Sequence, residues 1–325
     1  MSTALYSFRV IPAWLRQPPR IGLAIGLTVF LAVAGLRLLG GLQAIELAVY
    51  DQYLKLKPDT GWREDRVVAV LINDGDIRRI GQWPLSDETL AQVIATLIQA
   101  GPRTLGFDLY RDLPVAPGTA HFERLLNSNK QVYFVMKFGG HDAARVSAPA
   151  ALAGSEQVGF ADLLIDPGGF VRRGLLFLDD GESVGYSFAL RLALPYLAKH
   201  GVLPGPGEPD PNDLRLGRIT FPPLETNDGA YANADAAGYQ FLLDYKGGAS
   251  PFRTYSLSDV LDRRIPPEVL RDRVVLVGVS ADSVKDFFLT PYNNHEKDLA
   301  GTPGVLIHAH AVSQLLRAGL DGESP

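Results

Sequence analysis

The first strong pattern in the chain is an apolar run near its start. Ile21 to Leu36 carries no charged side chain, and beyond Arg37 the segment LLGGL extends the apolar stretch to Leu42, 22 residues in all. About 20 residues suffice to cross a bilayer as a helix, so 21–42 is expected to be a transmembrane helix. Arg37 lies near one end, from where its head can reach the headgroups. Arg9, Arg16 and Arg20 precede the run without any acidic residue, whereas Ile45 to Asp65 carries mixed charge with acidic residues in excess. The positive-inside rule then puts 1–20 in the cytoplasm, a single pass through the inner membrane at 21–42, and 43–325 on the periplasmic, extracytoplasmic side. Ala32-Val33-Ala34 also fits a signal-peptidase site. An uncleaved anchor is preferred because the run stays apolar for a full bilayer span. Leu42, Ile45, Val49, Gln52, Tyr53 and Leu56 fall near one helical face, consistent with a helix that continues past the membrane or covers a sheet.

Downstream the pattern changes to short β-branched runs separated by helical periodicity. Val67 to Ile72, Arg103 to Leu109, Gln131 to Phe138 and Arg273 to Val279 read as strands buried on both faces. Between the first two, Ser86 is the expected N-cap of a helix whose stripe is Leu90, Val93, Ile94, Leu97 and Ile98, stopped by Gly101-Pro102. The spacing is that of βαβ units, which predicts an α/β domain: a mostly parallel sheet with helices on both faces.

The middle is less regular. Gly159 to Leu178 suggests two strands joined at Asp166-Pro167-Gly168-Gly169, and Gly185 to His200 a helix that Pro195 ends or kinks. The Pro-, Gly-, Asn- and Asp-rich residues of 203–238 read as a loop-rich insertion around a short strand at Ile219, with another strand at Tyr239 to Tyr245. A last helix is expected from Gly304 to Ala318, capped by Gly319. No domain boundary stands out after residue 60.

Composition narrows the function classes. A net charge of −5 argues against nucleic-acid binding. The absence of cysteine excludes disulfides, a thiolate nucleophile and Cys-ligated metal. There is no P-loop, no H-E-x-x-H and no G-x-S-x-G. His308 and His310 point to nearly opposite sides of a helix and cannot share an ion there, and a buried structural role for His308 is the simpler one. One constellation remains: Asp74 and Asp76 follow the first strand, Asp108 ends the second, and Asp282 and Asp286 follow the strand at 273–279. Carboxyl ends of strands are where open α/β sheets bind ligands, so the aspartates either meet around a cation, a basic or a hydroxylated ligand, or cap helices and close turns. Trp83-Pro84 reads as a pre-helix turn whose indole packs on the sheet.

The order INDGD (72–76), IGQWP (80–84), GFDLYRD (106–112), GGFVRR (168–173), DYKGG (244–248), YSLSDVLD (255–262), VVLVG (274–278), KDFFLTPY (285–292) and PGVLIHAHAV (303–312) resembles the CHASE sensory domain of the second type. The resemblance spans nearly all of 45–320. It implies a bacterial extracytoplasmic input module of adenylate cyclases, histidine kinases or serine/threonine kinases, preceded by one transmembrane helix and usually followed by three. The chain stops at Pro325, where the next span would begin, and so is expected to be the sensor half. It departs from the family pattern at Asn73 (I-D-D), Leu85 (W-P-W) and His310 (H-A-N), and the loss of a carboxylate at 73 weakens any metal site on that loop.

The expected function is a non-catalytic, membrane-anchored sensor, with Asp74, Asp76, Trp83, Asp108, Asp286 and His308 as candidate ligand-binding residues. No catalytic residue, metal ligand or cofactor is expected. Expected partners are a small signal or a periplasmic protein, membrane lipid and a second copy in a homodimer, with no nucleic acid. The alternatives are an exported metal-dependent hydrolase using the aspartates with His308, and a stand-alone anchored binding or assembly subunit.

Overall fold

The computed structural model describes residues 19–57, 61–139, 144–179, 181, 183–248, 251–293 and 301–324. The basic segment 1–18, expected in the cytoplasm, lies outside the described residues. The chain runs α1 (Pro19–Leu38), α2 (Gln43–Leu56), β1 (Glu64–Ile72), α3 (Asp74–Ile80), α4 (Asp87–Gln99), β2 (Thr104–Asp108), α5 (Thr119–Ser128), β3 (Val132–Met136), β4 (Val158–Phe160), β5 (Arg173–Asp179), β6 (Val184–Tyr186) and α6 (Phe188–Lys199). It continues through β7 (Pro204–Pro206), β8 (Leu214–Leu216), β9 (Ile219–Phe221), β10 (Tyr239–Leu242), β11 (Phe252–Ser256), α7 (Leu257–Leu261), α8 (Pro267–Leu270), β12 (Val274–Val279), β13 (Phe287–Phe288), β14 (Thr302–Pro303) and α9 (Gly304–Leu316).

The chain forms two units, one made of the described residues up to Tyr50 with Thr226–Asp235, the other of Asp51–Glu225 with the described residues from Ala236 onward. In the first unit, Ile21–Leu38 is long and apolar enough to cross a membrane. The apolar run to Leu42 is not one helix: α1 ends at Leu38, and a turn with Gly40 at φ 77° intervenes before α2. That left-handed backbone is open to glycine at little cost and breaks the continuous helix expected over 21–42 and beyond. Arg37 is held at this turn by Glu46 at 3.1 Å and by donating to the Gly229 carbonyl at 2.8 Å.

The second unit is built on a six-stranded sheet in the order β11-β1-β12-β2-β3-β4, every neighbouring pair parallel. The four apolar runs seen in the sequence supply β1, β2, β3 and β12, and β12 is buried along its whole length. One face packs Val68, Val70, Leu105 and Phe107 under α4, α5 and α7; the other packs Val67, Ala69, Val274 and Leu276 under α6 and α9. The α/β architecture with helices on both faces is as expected. Ser86 caps α4 by accepting from the Thr89 N–H.

Several local expectations need correction. Gly159–Leu178 does hold two strands on either side of the turn at Asp166–Gly169, closed by the Gly169 N–H to the Asp166 carbonyl at 2.9 Å, but β4 joins the main sheet while β5 joins a separate antiparallel sheet, β10-β5-β6. Gly185 belongs to β6, and α6 begins at Phe188 and runs past Pro195 to Lys199. The insertion holds an antiparallel three-stranded sheet, β7-β8-β9, where only one strand was expected. The final helix passes into a π-helical turn, Arg317–Asp321, and its left-handed cap is Gly322 rather than Gly319. All thirteen residues of α9 are buried, so it has no polar face to carry His310 into solvent.

Candidate ligand-binding site

Chain direction at the carboxyl edge of the sheet creates the site. After β1 and β2 the chain turns to helices on one face, whereas after β12, which lies between them, it goes to α9 on the other. Diverging connections of this kind leave a crevice at the strand ends. Here it is a cavity of about 330 Å³.

Each wall has a local reason. Asp108 is the last residue of β2, level with Gly278 of β12. Asp286 follows the β12 loop, and its backbone carbonyl accepts from the Gly304 N–H at the start of α9. His308 stands one turn further along α9, on the same side as Gly304, and both line the cavity. Trp83 and Leu85, between α3 and α4, close one side, and Leu163, Val284 and Phe288 add apolar wall.

The polar groups are desolvated. Burial pushes the Asp108 carboxyl up to about 7. Burial and the neighbouring Asp108 push Asp286 up to about 6, against a smaller opposing pull from His308. The His308 ring, 5% exposed, is lowered to about 4 because burial outweighs Asp286 and Asp162, so it is neutral at pH 7. Its edge meets Phe188 at a centroid distance of 5.6 Å. Among the described residues, neither carboxyl nor the His308 ring takes part in a hydrogen bond. Asp108 and Asp286 are half-buried and His308 is buried, and all three line the same cavity with hydrogen-bonding capacity left over.

Four of the six residues singled out from sequence therefore meet: Trp83, Asp108, Asp286 and His308. Asp74 and Asp76 do not. Asp76, 2% exposed, closes a capping box with Asn73 at the start of α3 and accepts from the Ser258 N–H at 2.9 Å. Asp74 accepts from the Asp282 N–H at 2.9 Å, and this bonding with that from Ser283 holds its carboxyl below the usual range. Both serve the caps and turns that were the plainer alternative. His310 packs on Tyr245 and Phe252 at 4.9 and 4.8 Å, away from His308 as helical geometry requires. Among the described residues, no group of three or more His, Asp or Glu side chains is placed to hold a metal ion, which leaves the hydrolase reading without a ligand set.

The sequence also held residues that were passed over. Tyr110 and Arg111 in GFDLYRD, and Lys285 and Phe288 in KDFFLTPY, line the same cavity, and only their adjacency to Asp108 and Asp286 signalled it. The Tyr110 hydroxyl is raised by burial and then by the carboxylates Asp108, Asp162 and Asp286. Arg111 donates to the Leu85 carbonyl at 2.7 Å and lies 3.8 Å from Asp87.

From this cavity a strap leads away. Lys285, Asp286 and Phe288 line it; the Leu289 carbonyl then accepts from the Val171 N–H at 2.8 Å, and the Tyr292 hydroxyl donates to the Leu54 carbonyl of α2 at 3.0 Å. Beside it, Arg172 grips Asp51 of α2 with two bonds of 2.8 and 2.7 Å and reaches Asp166 at 3.2 Å, under the Phe170 ring. Arg173 completes the buried cluster with Asp166 at 2.7 Å and Gln240 at 2.7 Å.

A family model described as the CHASE2 domain matches residues 28–324. No curated protein and no solved structure matches the chain.

Proposed function

On the premise that this chain belongs to the CHASE2 family, extracellular sensory domains of signalling proteins, we propose that the Asp108–Asp286–His308 cavity is its signal-binding cleft. The observation that carries this reading is that Asp108, Asp286 and His308 line one crevice at the switch point of the sheet and, among the described residues, make no side-chain hydrogen bond there. An apolar pocket with a few convergent polar groups of shifted pKa is the expected form of a small-molecule site.

In this reading the domain is the input half of a membrane-anchored transducer, held in the inner membrane by α1 with its main unit in the periplasm. The output is a cytoplasmic adenylate cyclase or protein kinase, and two copies act as a dimer. The strap from Lys285 to Tyr292 supports transmission, because a ligand moving Asp286 or Phe288 pulls on a segment bonded to α2. A signal changes output only by favouring one of two arrangements, and a strap shared by cleft and helix is such an element.

The test is output of the membrane-embedded parent with Asp108→Asn or Asp286→Asn. Loss of the response with unchanged basal output and folding supports the cleft. An unchanged response in both variants overturns it.

A further inference from the structure

We infer that the cleft is built for a small organic cation, an ammonium or amidinium group on an apolar body, seated between Asp108 and Asp286. This rests on the signal-binding reading above and names the chemistry of the ligand.

The argument begins with charge. Two carboxyls, Asp108 and Asp286, face one cavity, and among the described residues neither makes an ion pair with Lys or Arg. The other charged groups around them include two cations, Lys285 and Arg111, the latter's Nε without a hydrogen-bond partner among the described residues. Arg111 is engaged by the Leu85 carbonyl and faces Asp87, and Asp162 accepts from the Phe138 and Gly139 N–H groups at 2.8 and 3.2 Å. Lys285 lines the cavity from an exposed position beside Asp286. His308, neutral and nine-tenths buried, supplies one further donor or acceptor without adding charge.

A half-buried carboxyl pair without a counter-ion holds a proton more tightly than free carboxylates do, which matches the raised affinities of both groups. A cation with several N–H donors replaces that proton and satisfies both carboxyls at once. An anionic ligand brings no donor to replace that proton, and it is repelled wherever either carboxyl is ionised, strongly so at low dielectric. Apolar walls from Trp83, Leu163, Val284 and Phe288 suit a hydrocarbon body, and Trp83 and Phe288 offer ring faces that attract cations.

The test uses the full chain in lipid nanodiscs and four probes of similar shape: benzylammonium, benzamidinium, benzyl alcohol and benzoate, titrated calorimetrically. The two cations are expected to bind at least about 10-fold more tightly than the alcohol and to release a proton on binding, read from the dependence of heat on buffer. Benzylammonium affinity should fall about 10-fold or more from about pH 8 to about pH 5, as the carboxyls take up protons. Asp108→Asn and Asp286→Asn should each weaken the cations by about 10-fold, whereas Asp74→Asn should not. The pH series needs no variant, so a variant that fails to fold leaves the test intact. Equal or tighter binding of the alcohol or benzoate overturns the cation while leaving the cleft. Failure of all four probes overturns both.

Discussion

Gly304 leaves open the space that the Asp286 carboxylate fills: a Cβ at position 304 would stand 3.0 Å from Asp286 Oδ2. Glycine at the first residue of α9 is therefore explained by close approach rather than by backbone conformation. Gly304→Ala should fold, since alanine suits a helix better than glycine and the carboxylate can swing aside. The swing takes Asp286 from its place in the cleft, so ligand response should fall while the melting temperature stays within about 4 °C of the parent. Thermal melts beside output assays of the same variant check this.

The carboxyl pair should leave a mark on stability against pH. Asp108 and Asp286 have folded affinities of about 7 and about 6, above the ordinary carboxylate value. Their contribution to stability is complete below the unfolded value and is lost as pH rises through about 6 and then about 7. His308 acts oppositely: it is held neutral, and its contribution is lost as pH falls from 6.5 through about 4. Asp108→Asn should therefore stabilise the domain more at pH 8 than at pH 5, and melts across that range measure the difference.

Asp76 should behave as a structural carboxylate. Removing it leaves the Asn73 N–H and the Ser258 N–H and hydroxyl without their acceptor. Asp76→Ala should cost about 1–3 kcal/mol in denaturant unfolding. Cleft binding should be unchanged, in contrast to Asp286→Asn.

Arg172 holds two buried carboxylates, Asp51 and Asp166. Arg172→Met strands Asp51, whereas Asp166 keeps Arg173, and breaking a buried pair in this way costs about 3–5 kcal/mol. Unfolding curves of the variant, and of Asp51→Asn, where one carboxylate becomes neutral and the loss should be smaller, check the asymmetry.

On the proposed reading, Tyr292 should separate binding from transmission. Tyr292→Phe removes the bond to the Leu54 carbonyl at a cost of about 1 kcal/mol and leaves the cavity lining untouched. Ligand affinity should hold while output loses part of its response, which a paired binding and output assay reads directly.

The sheet was legible in sequence because its central strands are buried on both faces and must be continuous apolar runs. β11 escaped because it is an edge strand: FRTYS has exposed positions and no apolar run. Asp108 was legible as a strand-end carboxylate, but the same logic misplaced Asp74 and Asp76. A carboxylate after a strand can face the crevice or turn back to cap the next helix, and the deciding partners lie far off in sequence, at Ser258 and Asp282. His308 was read as buried and was also named among the candidate ligand residues, and it lines the cleft; which other residues of α9 face the cleft is hidden in the sequence because the helix is buried around its whole circumference. The strap was invisible for the same reason: Tyr292 and Leu54 are 238 positions apart.

The position of β12 has a consequence for biogenesis. It pairs with β1 on one side and β2 on the other, yet it is the last of the six strands to be made. A chain made from its N-terminus must present β1 and β2 with an open slot between them until residues 274–279 arrive. Such non-local completion slows folding, and it exposes two unpaired edges for as long as the slot stays empty. Any fragment ending before Val274 would keep those edges permanently, and would fail by aggregation rather than by loss of the cleft.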